Sequence, residues 1–193
     1  MQISRTCFGA NSDFCKLVAN AGYGAVDIND TSHNPEVFLK SEDEQVNFVE
    51  NVVKNINTAG LVIGQCHAPH TKTLWCTSPE EFEQNIVTIE NCIKIASKLH
   101  IPYTVVHPIV YAFNNQGDNP DKIWQINIDM LRRVTKYAEN TVVCLENMPG
   151  TAGVIRTGDD MKRMLALLCA ILSQPFWNAS KIALPALPNL WKA

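Results

Sequence analysis

The sequence predicts an α/β fold: a partial (β/α) barrel of about five parallel strands alternating with helices, followed by an irregular C-terminal tail. Three observations carry this. Short β-branched runs alternate with amphipathic helical patterns, the signature of parallel β/α units. Four polar residues, Asp27, His67, His107 and Glu146, each close one of these apolar runs at steps of 40, 40 and 39 residues. A ligand-type side chain at the C-terminal end of successive strands is how a (β/α) barrel assembles an active site. The pattern then stops: all 19 acidic residues lie at or before Asp160, and the remaining chain is rich in Pro and Trp.

The elements follow in order. Ile3 to Phe8 is a candidate first strand, and Ser12 to Ala21 a helix closed by Gly22. Ala25 to Ile28 is the second strand. Ser41-Glu42-Asp43-Glu44 is a capping box, in which a hydroxyl and a carboxylate satisfy orphan N–H groups. It opens a helix with Val46, Val49, Val53 and Ile56 on one face, ended by Gly60. Leu61 to Cys66 is the third strand. Ser78-Pro79-Glu80-Glu81 opens a second capped helix, with Pro at the first helical position, where no N–H is needed. Its apolar stripe is Phe82, Ile86, Ile89, Ile93 and Ala96. Tyr103 to Val106 is the fourth strand, and Asn119-Pro120 starts the helix that carries Ile123, Met130, Val134 and Ala138. Thr141 to Leu145 is the fifth strand, and Thr157-Gly158-Asp159-Asp160 caps a helix running to about Leu168. A doubly wound sheet accommodates five strands as well. The strand-end residues favour the barrel, because an open sheet would spread them along an edge instead of converging them.

The expected organisation is a barrel unit over residues 1–170 and a tail over 171–193. The tail has no strand or helix period. It is read either as an extension packed over a sheet edge or as a foreign segment appended where a frame shift or premature stop cut a longer protein. Composition is ordinary for a globular chain, 46% hydrophobic and 18% charged, and the net charge of −3 gives no basic footprint for nucleic acid. No apolar run is long enough to cross a bilayer, and the N-terminus lacks the apolar region of a secretory signal. The seven Cys include no C-x-x-C pair, so they read as reduced core residues of a cytoplasmic protein rather than as a zinc cluster.

His, His and Glu are good ligands for a divalent metal. A carboxylate ending an apolar strand is costly unless it is paired or bound to a cation, which singles out Glu146. Asp27 is read as a substrate contact or as a cap for the following loop. His70 is read as a substrate contact or a surface histidine, and Asn147, next to Glu146, as a substrate contact. Asp159 and Asp160 read as charges at a helix N-terminus. His33 and His100 read as loop and helix-end residues. Trp75 and Tyr111 read as packing or sugar-stacking aromatics.

The words around the strand ends resemble a known family. Gly22-Tyr23-Gly24-Ala25-Val26-Asp27-Ile28, His67-Ala68-Pro69-His70, Val105-Val106-His107-Pro108 and Leu145-Glu146-Asn147-Met148-Pro149-Gly150 are similar to those of xylose isomerase-like TIM barrels. That superfamily holds sugar phosphate isomerases and epimerases, and also the endonuclease IV type of apurinic endonuclease. The resemblance runs from about Ile3 to Leu168. It implies His67, His107 and Glu146 as ligands of a divalent metal (Mn, Co, Mg or Zn), with Glu146 also a catalytic acid/base. It also implies partners that this sequence lacks: family members carry an Asp and a His at the sixth strand, a His at the seventh and a Glu at the eighth. A full barrel needs about 250 residues, so about three β/α units are expected to be missing.

Three functions follow. The first is a metal-dependent sugar or sugar-phosphate isomerase or epimerase, with a small-molecule sugar as partner and no membrane or nucleic acid, inactive if the last strands are essential. The second is an endonuclease IV-like apurinic-site phosphodiesterase. Against it, the first strand lacks a His-Val-Ser word. The third is a non-catalytic remnant or partner-dependent module, self-associating through open sheet edges.

Overall fold

The computed structural model describes residues 4–7, 9–70, 78–109, 120–148, 155–172 and 182–183. Six strands form one sheet: β1 (Ser4–Cys7), β2 (Ala25–Ile28), β3 (Val62–His67), β4 (Tyr103–Val106), β5 (Val142–Leu145) and β6 (Ile182–Ala183). Their order is β1-β2-β3-β4-β5-β6, and every pairing is parallel. That sequential order separates barrel-type winding from a doubly wound sheet, whose order doubles back at a switch point. Among the described residues the sheet is open, with β1 and β6 at its edges. The helices are α1 (Ser12–Asn20), α2 (Asp30–His33), α3 (Glu42–Thr58), α4 (Pro79–Lys98), α5 (Pro120–Val134) and α6 (Gly158–Leu172).

Local chemistry explains the boundaries. In α3, Glu44 N–H donates to the Ser41 hydroxyl while the Glu44 carboxylate accepts from Ser41 N–H, the reciprocal box expected. The Ser78 hydroxyl accepts from Glu81 N–H at the start of α4. At α6, Asp160 accepts from the N–H groups of Arg156 and Thr157, and the Thr157 hydroxyl accepts from Asp160 N–H. Gly22 and Gly60 follow α1 and α3 at φ +86° and +76°, a left-handed conformation that side chains with a Cβ resist.

The core lies between the sheet and the helices. Val26, Ile28, Cys66, Val106, Val143 and Leu145 point from the sheet into it, against Ile86, Ile89, Cys92, Ile93 and Ala96 of α4 and Val49, Val52 and Ile56 of α3. Each fully buried Ile contributes about 1.5–3 kcal/mol relative to exposure. Cys15, Cys66 and Cys92 are buried in the core cluster, and Cys144 is buried in β5.

Three boundaries differ from the sequence expectation. The segment after β2 is not simple loop: α2 and a 3-10 turn at Pro35–Leu39 follow, and bury Phe38 completely. Ile182–Ala183, inside the segment expected to be irregular, pairs with Val143 and Cys144 as β6, because unsatisfied β5 backbone groups accept even a two-residue partner. The last helix extends past Leu168 to Leu172. Ile3 and Phe8 of the expected first strand, and most of the tail, lie outside the described residues. Among the described residues, no helix is long and apolar enough to cross a membrane.

Candidate metal centre

Sheet register places four polar residues on one face. In parallel pairing, residues in register share a face and successive residues alternate. Asp27 is in register with Gln65, His67 with Val105, and Val105 with Cys144. His107 and Glu146 follow two positions after Val105 and Cys144, so both return to the face of Asp27 and His67. An irregularity makes this work. Between Val26 and Asp27 the register skips Gly64, so the pairs run Val26 with Ile63, then Asp27 with Gln65. Such a bulge reverses the alternation of everything after it. His67 therefore faces Asp27 rather than the helices, and Cys66 fills the core instead.

The side chains converge. His67 Nδ1 lies 3.1 Å from Asp27 Oδ1, and His67 Nε2 lies 3.4 Å from Glu146 Oε2. His107 Nε2 approaches the same Glu146 oxygen to 2.9 Å. That last contact is close but poorly aimed: both ring nitrogens of His107 are buried without a hydrogen bond among the described residues. One ligand atom from each of His67, His107 and Glu146 lies within 4.8 Å of the others. Ligand atoms around a four-coordinate ion with bonds near 2.1 Å sit about 3.4 Å apart, so the spacing suits a shared cation. The orphaned His107 nitrogens are what a ligand histidine shows when no proton-sharing partner replaces the ion. The donor set, two imidazoles and one carboxylate, suits Zn, Mn or Co.

Asp27 is buried at 7% exposure and its carboxylate holds His67 at Nδ1, the support that fixes the tautomer and aim of a histidine whose other nitrogen is to bind a metal. Thr31 adds a second restraint on His67, its hydroxyl donating to the His67 carbonyl. Burial by itself would lower the His67 pKa. Hydrogen bonding to Asp27 and then Glu146 overcomes it and carries the value to about 9. His107 first and His67 second hold the Glu146 carboxyl well below the usual carboxylate range, against its partial burial. An ion held here would take the place of the proton on His67, so its binding would release a proton.

The remaining candidates fall around this centre. The His70 ring stacks on His107 at 4.1 Å and 14°. Burial, then the charges of His107 and His67, pushes its pKa down to about 4, so it is a neutral imidazole at pH 7. Asn147 is exposed, and its amide donates to the Arg156 carbonyl at 3.3 Å, tying the segment after β5 to the start of α6. His33, a loop residue by sequence, ends the short helix α2, and its ring lies 5.9 Å from that of His70. Four of the five histidines thus lie in one neighbourhood. The signal that could have found His33 was its position six residues after Asp27, in the segment leaving a strand end. Trp75 and Tyr111 lie outside the described residues.

Comparison with known proteins gives three results. A family model described as xylose isomerase-like TIM barrel matches residues 15–168. A curated relative, the probable endonuclease 4 of Mycoplasma genitalium, is 28% identical over 124 residues, covering 63% of this chain and 38% of the relative. The chain thus spans well under half the length of that relative. Among solved structures, the 3-keto-D-glucoside 4-epimerase of E. coli superposes with TM-score 0.67 at 15% identity, over 95% of this chain and 67% of that one. Endonuclease IV from Thermus thermophilus does so with TM-score 0.54 at 17% identity, over 86% of this chain and 58% of that one. At such identities the structural likeness shows the fold alone.

Proposed function

The chain belongs to the xylose isomerase-like TIM barrel family, and from that premise we propose that it is a metal-dependent sugar or sugar-phosphate isomerase or epimerase. The observation that carries this is the meeting of His67, His107 and Glu146 within 4.8 Å at three successive strand ends. A divalent ion held by these three would polarise a carbonyl or hydroxyl oxygen of a sugar. Asp27 holds His67 by Nδ1, leaving Nε2 turned toward Glu146. Glu146 is 43% exposed at its side chain, so one edge of its carboxyl is open to a substrate. It is the group placed to take a proton from a carbon beside a carbonyl and to return it. His70, stacked on His107, and Asn147, next to Glu146 in the chain, are the proposed substrate contacts. The buried thiols support a reducing compartment, the cytoplasm. The proposed division into a barrel unit over 1–170 and a tail over 171–193 is crossed by α6, which ends at Leu172, and by β6, which joins the sheet from within the tail. The two sheet edges are the surfaces through which copies would self-associate.

The test is solvent exchange. Incubated in heavy water with Mn, Co, Mg or Zn, the chain should incorporate deuterium beside the carbonyl of a ketose or ketose phosphate, and Glu146→Gln should stop it. No exchange with any ketose removes the catalytic claim.

The curated relative, a probable endonuclease 4, favours a second reading, an apurinic-site phosphodiesterase, in which His67, His107 and Glu146 would hold the metal for hydrolysis. Its mark would be metal-dependent nicking of an abasic-site duplex that Glu146→Gln abolishes.

A further inference from the structure

We infer that Asn127, far from the strand ends in sequence, is the positioning residue for His107. Asn127 lies in the interior of α5, where Asn is a poor helix former because its amide competes with the backbone. It is wholly buried. Its amide makes a two-point clamp on one residue: Ile109 N–H donates to Oδ1 at 2.7 Å, and Nδ2 donates to the Ile109 carbonyl at 2.9 Å. The second Nδ2 hydrogen goes to the Ile123 carbonyl at 2.9 Å. Every donor of the amide is therefore satisfied, and a satisfied buried polar group of this kind rigidifies what it holds.

What it holds is the backbone just beyond His107. On the near side, Val106 is fixed in the sheet by its register with Leu145 and by Glu146 N–H donating to its carbonyl at 3.0 Å. On the far side, Pro108 has a locked φ and confines His107 to extended backbone. Ile109 is then seized by Asn127. His107 is thus bracketed between two fixed points, which leaves its ring little freedom except to stand beside Glu146 and stack on His70. The equivalent task for His67 is done by Asp27 and Thr31. Among the described residues His107 has no aligned side-chain hydrogen bond, its 2.9 Å approach to Glu146 being poorly aimed, so its aim depends on the backbone clamp.

This rests on the metal-centre reading above, and the experiment separates the two. Co(II) is titrated into metal-free wild type, Asn127→Asp, Asn127→Ala and Met130→Ala, read by the visible bands of bound cobalt. Met130 is a buried α5 residue in the core, so its truncation weakens folding while leaving the Asn127 hydrogen bonds to Ile109 in place. The expected result is an affinity about 10- to 100-fold weaker in both Asn127 variants, the range for lost supporting contacts, with altered bands, while Met130→Ala matches wild type. Asn127→Asp is nearly isosteric but loses both Nδ2 donations. A folded Asn127→Asp with wild-type affinity and bands overturns the inference, as does an equal loss in Met130→Ala. Hydrogen exchange on wild type needs no variant: the Ile109 amide should exchange as slowly as core amides of α5, and exchange at the rate of an open loop overturns the clamp. Wild type that binds no Co(II) removes the metal reading and the inference with it.

Discussion

Asp27→Asn removes one charge at nearly constant volume, and its effect on metal-free stability can be worked from the site. In the folded chain His67 titrates at about 9, against 6.5 for an unperturbed imidazole. The gap corresponds to about 3 kcal/mol of pH-linked stability. The folded value is the higher one, so this contribution is complete below pH 6.5 and is lost as the pH rises through about 9. Glu146 is 43% exposed at its side chain, whereas Asp27 is 10% exposed, so solvent screens the Glu146 share more. Most of the 3 kcal/mol therefore belongs to Asp27. Urea unfolding in EDTA, below pH 6.5 and again above pH 9, should show wild type losing stability across the window and Asp27→Asn losing about 1 kcal/mol or less. Other groups titrate there too, but they are common to both proteins and cancel in the comparison. Parallel profiles for the two would refute the reasoning, because they would mean that Asp27 does not hold a proton on His67.

The other expectations concern the metal and the core. Zn, Co or Mn should raise the unfolding temperature relative to EDTA, by the equivalent of about 2.7 kcal/mol at a hundredfold excess over Kd, and His107→Ala or Glu146→Ala should erase the shift in a thermal melt. Metal affinity measured by calorimetry should weaken as pH falls below about 9, since the ion competes with the proton on His67; an affinity flat from pH 6.5 to 9 would contradict the ligand assignment. Ile93→Ala, at a fully buried α4 position, should cost about 2–5 kcal/mol through lost burial and a cavity, read as a lower denaturation midpoint.

Much of the fold was legible because its determinants are local. The α3 box needs only Ser41 and Glu44, three residues apart, and α4 starts where Ser78 and Pro79 stand. The strands declared themselves as short β-branched runs. The short helix α2 and the turn that buries Phe38 carry no such period, and what orders them is tertiary: Ala10 N–H donates to the Asp30 carboxylate, and Asn91 and Gln45 amides donate to the Phe38 carbonyl. The same division runs through the site. The residue types at the strand ends could be read in order, but nothing local joins Asn127 to them, because its partner Ile109 lies 18 residues away, and His33 is tied to them only by its nearness to Asp27, since its approach to His70 spans 37 residues.

The sequence alone determined that four polar side chains would arrive at the ends of four successive strands, because each sits one position past an apolar run and period and spacing are properties of the chain. It could not determine which way they would point. Strict alternation from Val62 puts His67 on the opposite face from Val62, toward the helices. The skipped residue at Gly64 reverses that parity and turns His67 toward Asp27 and Glu146. Register is a relation between two strands, so only the assembled sheet could decide it.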